Sequence, residues 1–160
     1  MAVLLRALTY ATLFVGLFLV VVPQRILAAS GIVRPTHLGP AQAAGLVLVA
    51  FGAAVVLWCV LTFALIGKGT PAIFDPPRKL VIAGPYRWVR NPMYIGGGLV
   101  ALGAALFYGS AALGLYALTF FIVVHLLVRF YEEPHLGRVF GTPYDEYRRS
   151  VRRWMPTWRS

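Results

Sequence analysis

Charged side chains interrupt this chain at widely spaced points, and the gaps between them set its elements. Eighteen uncharged residues separate Arg6 from Arg25, 33 separate Arg34 from Lys68, and 38 separate Arg90 from Arg129. At ~1.5 Å rise per residue the first gap spans ~27 Å as a helix, close to a ~30 Å hydrocarbon core, and the second is amply long. The third would reach ~57 Å as a single helix, beyond any reasonable tilt. Tyr108-Gly109-Ser110 lies near its middle and supplies a turn. The pattern predicts four membrane helices, roughly 4–22, 41–66, 92–108 and 111–131, with the last two forming a tight hairpin.

Composition agrees. Apolar residues make up 59% of the 160 and charged residues 12%, with a mean hydropathy of +0.75. With Gly counted in and Tyr left out, the apolar share is roughly 64%, against roughly 45–50% in soluble domains. Exposing that surface to water would cost about 25 cal/mol per Å². An ordinary cytosolic domain, a disordered chain and a nucleic-acid-binding module are thereby excluded. The single Cys59 excludes an intramolecular disulfide framework and a cysteine-rich zinc site. The expectation is an all-α integral membrane protein, one domain over 1–160, with two N-terminal helices in 1–66. The apolar run of the first helix is longer than a signal-peptide core, and Pro23-Gln24-Arg25-Ile26 is a poor cleavage context. Ala28-Ala29-Ser30 is a better one, but the length favours a retained helix.

The net charge of +10 matters through its placement. Of the 15 Lys and Arg residues, two fall in the 23–40 loop; the other thirteen lie at the start of helix 1, in 67–91, or from Arg129 onward. With four spans those thirteen share one side, which the positive-inside rule makes cytoplasmic. All five acids lie there too. The protein is thus expected in the cell membrane as a multi-pass chain, both termini and any polar chemistry facing the cytosol. Prolines 71, 76, 77 and 85 forbid a continuous helix in 67–91. In the tail, Thr142 as N-cap, Pro143 at N1 and Asp145 at N3 open a short helix. Over Tyr144–Trp154 a helix gathers Tyr144, Tyr147, Val151 and Trp154 on one face, with Arg148, Arg149, Arg152 and Arg153 largely elsewhere. This cytosolic amphipathic helix is expected to rest on anionic lipid headgroups.

Two clusters carry candidate chemistry. Glu132 and Glu133 end a membrane helix, where the macrodipole disfavours acids and charge is costly. They either pair with Arg129 and Arg138 or hold a polar or cationic ligand between the loop and the last two helices. The second cluster is Gly84-Pro-Tyr-Arg-Trp-Val-Arg-Asn-Pro-Met-Tyr94. Asn91 and Pro92 suit a helix start, but capping alone does not call for Arg87, Arg90, Tyr86 and Tyr94 at the same end. A helix N-terminus with two guanidiniums suits an anion such as a carboxylate, and the aromatic faces suit a flat base or a cation. His125, two turns before Glu132, either lines this cavity or serves as a packed interhelical hydrogen-bonder.

Residues 67–156 resemble the isoprenylcysteine carboxyl methyltransferase and phospholipid N-methyltransferase superfamily. The matching pieces are Gly67-Lys-Gly69, the 84–94 stretch with Gly96, Glu132-Glu133, Phe140-Gly141, Tyr144-x-Glu146-Tyr147 and Pro156. Their order around a helical hairpin is specific; each alone is weak. The resemblance implies methyl transfer from S-adenosylmethionine to a lipophilic acceptor entering from the bilayer: an isoprenylcysteine-like carboxylate, a phospholipid amine or a small thiol or amine. Arg90, Asn91, Pro92 and Tyr94 then surround the cofactor with Glu132 and Glu133; Tyr86, His125, Gly67 and Gly69 are further candidates. Tyr144, Tyr147 and Arg148 are candidate acceptor contacts. The sequence has Asn91 where eukaryotic members usually carry His, and Asn cannot titrate near neutral pH.

The chemistry suits this set of residues. A sulfonium methyl is already activated, so alignment and exclusion of water are the main tasks, with no metal or nucleophilic Ser or Cys required. Two rivals remain: an NADPH-dependent membrane reductase of related fold, and a non-enzymatic membrane subunit.

Overall fold

A computed structural model describes residues 16–67 and 80–157, with Thr9 and Leu13. All regular elements among them are helical. Helix α1 is Gly16–Ala29 and α2 is Pro40–Thr62, extended by a π turn over Phe63–Gly67. A 3-10 turn at Gly84–Arg87 precedes α3, Pro92–Tyr108; α4 is Ala111–Phe140 and α5 is Thr142–Ser150. Pro40–Ile66 and Ala111–Phe140 are long and apolar enough to cross a membrane; α1 and α3 are apolar but shorter.

The α3–α4 hairpin follows its local sequence. Pro92 occupies the first turn of α3, where a missing N–H costs nothing. Gly109 stops α3 in the left-handed conformation at φ +59°. Ser110 then caps α4, its Oγ accepting from the Leu113 amide at 3.2 Å.

Two helix ends differ from the expectation. The first helix, predicted over 4–22, runs through Pro23 to Ala29, and the fourth, predicted over 111–131, continues to Phe140. A proline stops a helix only if the turn before it cannot adapt. Here π segments precede both prolines, Gly16–Val21 before Pro23 and Val128–Glu132 before Pro134. At the second, the Glu133 amide reaches back five residues to the Val128 carbonyl. The widened turn absorbs the proline instead of breaking the helix.

Glycines join α2 to α3. A Cβ on Gly52 would lie 2.5 Å from the Gly96 carbonyl oxygen, and one on Gly96 2.8 Å from that of Gly52. Gly45 and Gly103 repeat the arrangement one heptad away, at 2.6 Å in both directions. Two antiparallel backbones therefore touch without intervening side chains. In lipid, where apolar burial between helices contributes little, such van der Waals contact is the main source of association.

Residues 80–91 dock on the far end of α2. Cys59, Val81 and Tyr86 form a buried cluster with Phe63 and Met93. The Tyr86 ring meets Phe63 edge-on at 5.0 Å, and Trp88 meets Trp58 at 5.7 Å. Gly84, at φ +55°, lies so near Thr62 that a Cβ would fall 2.7 Å from its Oγ1.

The tail also departs from its expected form. Gly141, not Thr142, holds the N-cap position of α5, with no side-chain cap bond, and the helix ends at Ser150. Tyr144, Tyr147 and Val151 are buried against Leu80, Leu136 and Phe140. The apolar face that was to meet lipid is thus covered by the protein itself. Trp154 leaves that face and packs on α4, 5.0 Å from Phe121 and 5.9 Å from His125 between ring centres.

Candidate functional site

The residues after α5 fold back over the start of α3 as a strap. The Arg90 amide donates to the Arg152 carbonyl at 3.0 Å, and the Thr157 amide to the Trp88 carbonyl at 2.7 Å. Asn91 Nδ2 donates to the Arg153 carbonyl at 3.3 Å. Asn91 occupies the N-cap position of α3, but its side chain makes no cap bond; the amide that was expected to cap ties down the strap instead. Tyr147 Oη donates to the Tyr86 carbonyl at 2.7 Å, and Trp154 Nε1 donates to His125 Nδ1 at 3.0 Å.

Beneath the strap the two glutamates have separate partners. Glu133 is buried, and Arg153 grips it with both arms: Nε to Oε1 at 2.7 Å and Nη2 to Oε2 at 2.8 Å. Arg90 Nη1 lies 2.9 Å from Glu133 Oε1. The neighbouring Glu132 accepts a hydrogen bond from Tyr94 Oη at 3.2 Å, and Tyr94 packs against Phe120, Val124 and Val128 of α4. Pairing with Arg129 and Arg138, the local alternative, does not occur for Glu133. Arg138 Nε donates to the Pro134 carbonyl, and Arg129 lies over the Phe130 ring. Those two arginines are neighbours in sequence, but the fold-back of the tail delivers a better-matched fork.

Arg90 is the unusual member. Its side chain is only 9% exposed, yet Nε and Nη1 make no hydrogen bond. The approach of Nη1 to Glu133 is close but misaligned, so it contributes charge without a directed bond. Buried guanidinium donors rarely stay unpaired, because desolvation without a partner is costly. Nε therefore has no partner among the described residues, and Nη1 meets Glu133 only as an ion pair, so both keep hydrogen-bonding capacity for a further acceptor.

The surrounding hydroxyls are neutral. Burial raises the Tyr86 phenol well above its ordinary range, and raises Tyr147 likewise, against the opposing charge of Arg90. Burial first, then Glu133, pushes Tyr144 up to about 12 against the same guanidinium. Its hydrogen bond to Glu133 holds Arg153 charged beyond its usual range.

Arg90, Asn91, Tyr94, Glu132 and Glu133 thus meet at one end of the α3–α4 hairpin, with Tyr86, Tyr144 and Tyr147 behind them. His125 lies along α4 against Trp154. Arg148 is exposed, 3.7 Å from Asp145. Gly67 ends the π turn of α2, and Gly69 lies outside the described residues. Among the described residues no group of three His, Cys, Asp or Glu side chains is placed to hold a metal ion. The strap residues Arg153 and Trp154 were missed, because a run of arginines reads locally as a lipid-facing surface.

The sequence profile of phospholipid methyltransferases matches residues 40–143, well over half of the chain. The chain belongs to the phospholipid methyltransferase family. It is therefore a member of a group of membrane methyltransferases, as the resemblance implied. The matched stretch contains α2, α3, α4 and both candidate clusters, whereas Arg153 and the strap lie beyond it. Comparison with curated proteins and with solved structures gives no significant match.

Proposed function

We propose that this phospholipid methyltransferase family member transfers a methyl group from S-adenosylmethionine to the headgroup amine of a membrane lipid. The observation that carries the reading is the pair of Arg90 donors without hydrogen bonds, Nε and Nη1, buried two residues before α3, whose first-turn amides also favour an anion. The cofactor's carboxylate suits that position, and Glu132, steadied by Tyr94, suits its ammonium or ribose hydroxyls. The chain's residues therefore fit the group. When bound, it supplies a methyl already activated by a positive sulfur.

The protein's tasks are to bind, orient and exclude water. Arg90 just before α3 and Glu132 on α4 are joined through Tyr94 of α3, which bonds Glu132 and packs on α4. The strap covers the same end of the hairpin, so solvent is kept from one side. The exposed apolar residues Phe130 and Tyr131 on α4 offer a lipid-facing approach to Glu132. The distribution of thirteen basic residues against two supports a cytoplasmic position for this site and both termini, with 23–40 outside.

The test is calorimetric titration of detergent-purified protein with S-adenosylhomocysteine and, separately, NADPH. Saturable binding of the first and none of the second is expected. NADPH binding alone indicates a reductase, and binding of neither indicates a non-enzymatic subunit.

A further inference from the structure

We propose that Arg153 is a positioning residue: by occupying both oxygens of Glu133, it keeps the donors of Arg90 available for an anionic ligand group. The proposal rests on the cofactor reading above and concerns how that site is held ready.

Two guanidiniums face one buried carboxylate. A carboxylate offers two oxygens, and the planar fork of an arginine can claim both. Arg153 does so at 2.7 and 2.8 Å. Arg90 is left with a 2.9 Å approach to Oε1 and no hydrogen bond from Nε or Nη1. If Arg153 were removed, Glu133 would remain buried with one cationic neighbour. The strongest arrangement then open to it is the same forked pairing with Arg90, which would consume the free donors. Arg153 is therefore placed to act on the ligand site through Glu133, without touching the ligand.

Its position is fixed from both sides. The Arg90 amide holds the Arg152 carbonyl, and Asn91 holds the Arg153 carbonyl. Arg152 N–H donates to Thr157 Oγ1 at 3.1 Å, and Trp154 is bound to His125. The backbone that carries Arg153 is thus bonded to Arg90 itself and to its neighbour Asn91.

The experiment measures S-adenosylhomocysteine affinity by calorimetry for wild type, Arg153→Gln, and Arg153→Gln combined with Glu133→Gln. Arg153→Gln is expected to weaken binding by about tenfold or more, the worth of a charge-assisted hydrogen bond. The double variant has no carboxylate to capture Arg90, so its affinity should return to within about threefold of wild type. Suppression of this kind is not expected of a residue that merely holds the fold. A double variant no tighter than the single one overturns the proposal, as does an unchanged single variant. Should Arg153→Gln fail to fold, Arg153→Lys carries the same test, since an ammonium cannot fork across both oxygens; its loss of affinity must again be relieved by Glu133→Gln. Wild type that fails to bind S-adenosylhomocysteine overturns the cofactor reading itself, whereas wild-type binding without suppression overturns only the role of Arg153.

Discussion

Gly52 of α2 and Gly96 of α3 bring their backbones so close that a methyl on either would press on the other's carbonyl oxygen, at 2.5 and 2.8 Å. Gly96 lies two residues after Tyr94, on the helix that Arg90 and Asn91 immediately precede. The contact therefore sets where the candidate site stands relative to α2.

Replacing Gly52 or Gly96 by Ala should separate the helices and cost about 1–3 kcal/mol, as overpacking does elsewhere. Gly98→Ala is the control: the same helix, with nothing within 4 Å of the added methyl. Thermal midpoints in detergent should fall for the first two variants and hold or rise for the third. Equal behaviour of all three would show that the close approach is not a stabilising contact.

The charge distribution predicts sidedness. A cysteine introduced at Thr36 should react with a membrane-impermeant thiol reagent in intact cells, and one at Ser160 should not. The native Cys59 is fully buried and gives no background. Outside labelling of Ser160→Cys would reverse the orientation of the C-terminus.

The adjacent glutamates should behave differently. Glu132→Gln should weaken S-adenosylhomocysteine by about tenfold, for loss of one charge-assisted bond, and leave stability nearly intact. Glu133→Gln strips a buried carboxylate from two arginines, so its main effect should be on stability, on the order of 3–5 kcal/mol. The thermal midpoint and the titration, measured on the same preparations, separate the two. Equal losses of affinity with equal midpoints would mean that both carboxylates contact the ligand directly.

The parts of this protein that were legible in its sequence depend on local signals. The charge gaps mark apolar helices because hydrocarbon excludes charge, and Gly109-Ser110 marks the hairpin because a left-handed stop and a hydroxyl cap are encoded within two residues. The helices run on through Pro23 and Pro134 because a π turn removes the conflict that makes proline a stop, and nothing local in the sequence announces that turn. The seven-residue spacing of Gly45 and Gly52, and of Gly96 and Gly103, was visible, but a small residue in an apolar helix has no meaning until its partner is known. The partner of Glu133 shows the same limit. Arg129 and Arg138 lie within a turn or so along the chain, whereas Arg153 is 20 residues away and arrives only because the tail folds back. Long-range pairing of charges is set by topology, which local spacing does not report.

The start of α3 permits the sharpest separation of roles. Pro92 fixes the helix start and leaves first-turn amides without intrahelical acceptors. Those amides, the dipole and the unpaired donors of Arg90 all favour an anion at one place. Glu133 retains its fork from Arg153 when Arg90 is changed, so Arg90→Gln should leave the fold intact while lowering S-adenosylhomocysteine affinity by about tenfold or more. Arg90→Lys should recover only part of that loss, because an ammonium lacks the fork. Asn91 acts differently: its amide holds the Arg153 carbonyl and does not cap the helix. Asn91→Leu strands that carbonyl and should lower the thermal midpoint by the equivalent of about 1–3 kcal/mol, with affinity falling only as the strap loosens. Asn91→His keeps a ring N–H to offer the same carbonyl and should be tolerated. Affinity and midpoint measured together on the four variants test this order, since a capping role for Asn91 and a purely structural Arg90 would place every change in the midpoint and none in the affinity.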